Sequence, residues 1–184
     1  MGTTLKNCYC FPAKQKEALE AALVKCLEEE GLELSQTHDS CELIAEVVPA
    51  EDESAFLLLE STRASESRAF QQRLAELLAC DVIYASVYDG NLITLEYHKH
   101  DTGEVISLAV GHHPQGSYLQ SEDISCLYPF LGEGVAPEDL ALVWQGHYRF
   151  AEEKLFDLFA LLGYGNALQQ MGQCGVLCFT KAGE

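Results

Sequence analysis

The chain predicts an α+β fold, with a largely antiparallel sheet made of a strand pair and a three-stranded meander. Amphipathic helices pack this sheet, and a helical C-terminal portion follows. Three observations carry the prediction. Apolar residues recur at three- and four-residue spacing in two stretches before residue 80. Two groups of consecutive β-rich runs are joined by turn-type residues rather than by helices, which argues against alternating βα units. Beyond residue 134 the helical pattern dominates again.

A length of 184 residues with 48% hydrophobic residues can bury one core, and residues 1–184 read as a single globular domain. Only the ends, about 1–7 and 181–184, read as loose. The first helix is predicted over residues 13–30, where Leu19, Ala22, Leu23, Cys26 and Leu27 share a face and Gly31 supplies the stop. Its last turn, Glu28-Glu29-Glu30, puts acids where the helix dipole favours cations, at a surface cost of about 0.3–1 kcal/mol each. Strands follow over 41–48 and 55–61, joined by Pro49-Ala50-Glu51-Asp52-Glu53-Ser54. A second helix opens at Ser65, carries Phe70, Leu74, Leu77 and Leu78 on one face, and ends near Cys80.

Residues 82–110 form the meander, with Asp89-Gly90-Asn91 at the first turn and residues 99–103 at the second. The run Leu92-Ile93-Thr94-Leu95-Glu96-Tyr97 does not alternate, which marks a central strand covered on both faces. Residues 112–134 read as irregular, with a short helical turn after Ser121. Pro137 suits the first position of a helix, supported by Glu138 and Asp139 near the dipole's positive end. A longer helix over 149–162 is apolar on more than one face and stops at Gly163. A short strand over 176–180 closes the series.

Charge is the most distinctive global property. The chain has 29 Asp and Glu against 11 Lys and Arg, and the whole excess sits in two windows without a single base. Residues 26–62 hold 11 acids and residues 100–148 hold 7, while the remainder balances at 11 against 11. Nucleic-acid binding is excluded as an expectation, because so few bases cannot track a phosphate backbone. No apolar run approaches the roughly 20 residues of a membrane span, and no signal peptide is legible at the start. The eight cysteines are therefore expected to be reduced in a cytoplasmic protein. Cys26 and Cys80 read as small core residues.

A strongly acidic surface favours rapid association with a basic partner. The leading expectation is a non-enzymatic binding protein, an inhibitor-like or adaptor chain that docks on a basic protein, with Glu51, Asp52, Glu53, Glu122 and Asp123 as contacts. The plainer account of these acids is solvated surface. The alternative is a small enzyme or metal-binding protein using the histidine-bearing turns of the meander. There His98, His100 and Asp101, with His112 and His113, have ligand chemistry. One shared ion is excluded, since hairpin pairing places the two groups about 20 Å apart at roughly 3.3 Å per residue. His98 and His100 otherwise read as an exposed polar turn. Cys8, Cys10, Cys174 and Cys178 make a zinc site only if the termini pair, and their spacings lack a CxxC knuckle. Catalytic motifs and nucleotide loops are absent, no catalytic residue is assigned, and no cofactor is implied. No family motif carries an assignment, and oligomeric state is not legible.

Overall fold

The structure, a computed structural model, describes residues 5–35, 41–49, 54–61, 68–165 and 176–182. The chain runs through β1 (Leu5–Phe11), β2 (Lys14–Gln15), α1 (Lys16–Glu29), β3 (Leu32–Ser35), β4 (Leu43–Pro49), β5 (Ser54–Ser61) and α2 (Arg68–Leu78). It continues through β6 (Asp81–Tyr88), β7 (Leu92–His98), β8 (Val105–His112), β9 (Tyr118–Gln120), a 3-10 helix (Ser125–Phe130), α3 (Pro137–Gln145), α4 (Ala151–Phe159), a π-turn (Ala160–Tyr164) and β10 (Val176–Lys181). All described strand pairs are antiparallel, as expected, in the order β3-β10-β4-β5-β1-β6-β7-β8-β9, with β2 pairing β5.

The central strands have a core on each face, set by the period-2 alternation of side chains. On β1, Cys8 and Cys10 join Leu19, Leu23 and Leu27 of α1 and Phe70 and Leu74 of α2. Tyr9, between them, turns to the opposite face, among Trp144 of α3 and Leu155, Leu158 and Phe159 of α4. Its ring stacks on Phe159 with centroids 3.5 Å apart and on Phe56 at 4.9 Å. Each such fully buried large side chain contributes about 1.5–3 kcal/mol. Strand β1 departs from β5 after Cys8, and the Tyr164 hydroxyl fills the gap: it accepts from the Cys10 N–H at 2.8 Å and donates to the Cys10 carbonyl.

Several elements differ from expectation. Leu5 to Asn7, read as a loose end, belong to β1, and Asn7 is fully buried. The first helix begins at Lys16 rather than residue 13, because Lys14 and Gln15 form β2. Lys181, also read as loose, continues β10. The acidic end of α1 is not merely solvated: Arg73 of α2 reaches Glu29 with two hydrogen bonds, at 2.6 and 2.8 Å. Pro137 does open α3, and the Asp139 carboxylate accepts the Ala136 N–H at 3.1 Å. None of the helices among the described residues is long and apolar enough to cross a membrane.

Candidate functional site

The meander places its histidines at opposite ends, since His98 pairs with Val105 and Leu92 with Gly111. His98 departs from the exposed-turn reading. Its side chain is buried on the α2 face of the sheet, with Nε2 2.7 Å from Gln71 Oε1. Burial holds its pKa below the ordinary imidazole value. His100 turns elsewhere, with Nδ1 3.1 Å from Asp81 and Nε2 2.7 Å from Asp101. The hydrogen bond to Asp81 raises the His100 pKa. Burial alone would raise Asp81, but the Tyr97 hydroxyl at 2.7 Å and the His100 N–H at 3.0 Å outweigh it and hold the carboxyl low. The two imidazoles thus serve separate hydrogen-bond networks. Among the described residues no group of three or more His, Cys, Asp or Glu could hold a metal ion.

The terminal thiols are apart as well. Strand β10 reaches β1 only across β4 and β5, three strand spacings or about 14 Å. Cys178 hydrogen-bonds Cys41 instead, and burial pushes its thiol up to about 11. Cys174 lies outside the described residues. Cys26 and Cys80 are buried, as core cysteines should be.

The acidic windows also separate. The first supplies β3, β4 and β5, and the second supplies β8, β9 and α3, with β1, β6 and β7 between them. Four strand spacings from β5 to β8 come to about 19 Å, more than two Debye lengths at physiological salt. One continuous acidic face across both windows is therefore not formed by the described strands. Glu51, Asp52 and Glu53 lie outside the described residues. Glu122 and Asp123 are exposed. The Asp123 carboxylate accepts the Ser125 N–H at 2.9 Å at the start of the 3-10 helix, and the Ser125 hydroxyl together with that N–H lowers the Asp123 pKa.

Beside these two acids is an open groove of about 610 Å³ between β9, the 3-10 helix and α3. Trp144, Ile124 and Tyr128 line it together with Tyr118, Gln120 and Glu122. The Trp144 indole donates to the Ser121 carbonyl at 3.0 Å, which locks the ring against the strand end. Strand β9 is the last strand on this side of the sheet. The Ser121 N–H donates to the Ala109 carbonyl and the His113 N–H to the Ser117 carbonyl, both at 2.8 Å. Antiparallel alternation then directs the backbone N–H and C=O of Tyr118 and Gln120 outward. The sequence marks Glu122 and Asp123 by charge alone. Trp144 and Tyr128 reach the groove through α3 and the 3-10 helix, whose packing no local spacing announces.

Compared with known proteins, the chain matches no family model, no curated protein sequence and no solved structure.

Proposed function

We propose that this chain is a non-enzymatic binding protein whose groove beside β9 takes an extended, basic segment of a partner protein. The observation that carries the reading is the outward-facing edge of β9 running directly into an aromatic groove with Glu122 in its lining. An added strand would take its affinity from main-chain hydrogen bonds to Tyr118 and Gln120. Its selectivity would come from alternate side chains entering the groove. Tyr118 and Tyr128, the exposed aromatic side chains of the lining, suit an apolar residue of the segment, and Glu122 and Asp123 suit a Lys or Arg beside it. The charge argument rests on the second window alone, which holds 7 acids and no base up to Arg149.

The test uses ten-residue peptides that alternate Lys or Arg with apolar residues, and a matched set carrying Glu, followed by fluorescence anisotropy at two salt concentrations. The basic set binds, weakens with salt, and loses about tenfold in affinity (about 1.4 kcal/mol) on the double charge reversal Glu122→Lys, Asp123→Lys. Equal binding of both peptide sets, or wild-type affinity in the reversed protein, overturns the reading.

A further inference from the structure

We propose that a second pocket, enclosed by the β6–β7 turn, the end of β8 and the α3–α4 connection, binds a small phosphate-class oxyanion through Lys154 and Arg149. The pocket has a volume of about 120 Å³, room for a small ion but not for a nucleotide. Lys154, Arg149, His112 and His147 all line it, and no Asp or Glu does. In a chain where acids outnumber bases 29 to 11, this concentration of donors runs against the composition.

Lys154 is the centre of the argument. It is only 6% exposed, and Nζ donates to the Trp144 carbonyl at 2.8 Å, with the Tyr148 ring centroid 5.6 Å away. Capping that carbonyl in the last turn of α3 accounts for one of the three ammonium donors. Among the described residues no carboxylate forms an ion pair with it, and burying a cation without a counter-charge is costly. Burial correspondingly lowers the Lys154 pKa. A bound anion would supply the missing charge.

The surrounding groups point the same way. The Arg149 guanidinium lies 5.2 Å from the Phe150 ring centroid and is exposed at the pocket mouth, where its fork of N–H donors suits a tetrahedral oxyanion. His112 and His147 each offer an N–H in either protonation state. Asp157 accepts the Tyr148 hydroxyl at 2.8 Å, and neither it nor Glu152 nor Glu153 takes part in the lining. Backbone approaches closely at Gly111, where a Cβ would lie 2.1 Å from the Asn91 carbonyl oxygen. That approach lets the His112 N–H donate to the same oxygen at 2.9 Å and sets the position of the His112 ring.

The experiment compares thermal unfolding of the full chain in inorganic phosphate and in chloride at matched ionic strength, for the wild type, Arg149→Ala and Lys154→Met. Phosphate at a hundredfold its Kd raises the wild-type Tm by a few degrees beyond chloride, and both variants lose that extra rise. Arg149 is exposed, so its variant stays interpretable even if Lys154→Met fails to fold. In 15N-labelled protein, phosphate shifts the amide signals of Gly111, Gly146 and His147. A rise no larger than in chloride, a rise that persists in Arg149→Ala, or amide shifts confined to other regions overturns the proposal. Tyr118 and His147 line both this pocket and the groove beside β9, whereas Gly111, Gly146 and Arg149 line the pocket and not the groove, so their responses separate this outcome from that of the peptide test.

Discussion

The two ends of the β7–β8 hairpin both carry histidine, and they have opposite characters. At the His98 end the charged groups find partners: His100 meets Asp81 and Asp101, Tyr97 meets Asp81, and Lys99 meets Glu104 at 2.6 Å, while the buried His98 bonds Gln71 through Nε2 and leaves Nδ1 without a partner. At the His112 end the bases Lys154 and Arg149 have no ion pair among the described residues. Residue type alone does not separate a binding site from a structural turn. The separation comes from whether the charged groups are already paired, because paired charges have little left to offer a charged ligand and unpaired ones have much.

Three changes test this contrast between the hairpin ends. The largest effect is expected from Asp81→Ala, which removes the acceptor of the Tyr97 hydroxyl, the His100 N–H and the His100 ring at once. A loss of about 2 kcal/mol in urea unfolding is the expected outcome, and a loss below about 0.5 kcal/mol would mean that this end is not the structural one. Next comes pH. The His100 pKa is raised in the folded state, so its pairing supports the fold fully below the ordinary imidazole value near 6.5 and fades as pH climbs through the raised value. The lowered Asp81 and His98 values act in the other direction. The Asp81 contribution fades on acidification below the carboxylate range, and His98 disfavours the fold as pH drops below about 6.5. Tm against pH for the wild type and His100→Gln should therefore differ most on the acidic side of neutrality and converge toward alkaline pH; parallel curves would remove His100 from the account. The smallest effect is at the other end. Arg149→Ala should leave stability in phosphate-free buffer within about 0.5 kcal/mol, and a larger loss would make that end structural too.

Much of the fold was legible where single residues dictate backbone geometry. Asp89-Gly90-Asn91 marked the β6–β7 turn, Pro137 marked the start of α3, and Gly163, at φ 89°, marked the end of the α4 region. Strand β1 was not legible as a strand, because both faces of Cys8-Tyr9-Cys10 are buried and the alternation that would reveal a strand is lost. Strand β3 escaped for the opposite reason: Glu33 and Leu34 are both exposed, so four residues leave no pattern. The burial of His98 depends on Gln71, 27 positions earlier, and Lys154 comes to line the same pocket as His112 only through tertiary packing. The acids were legible as windows, but the strand order that divides them between the two flanks of the sheet was not.

The place of β10 has a consequence for the making of the protein. Among the described strands β3 pairs only with β10, and β10 lies between β3 and β4. On a ribosome adding roughly 5–20 residues per second, the segment that joins these two strands emerges on the order of ten seconds after β3. Throughout that interval β4 presents a bare edge and β3 has no strand partner, although in the finished molecule β4 is an interior strand. The period of greatest exposure to wrong pairing therefore falls during synthesis, and it ends when residues 176–181 slot in.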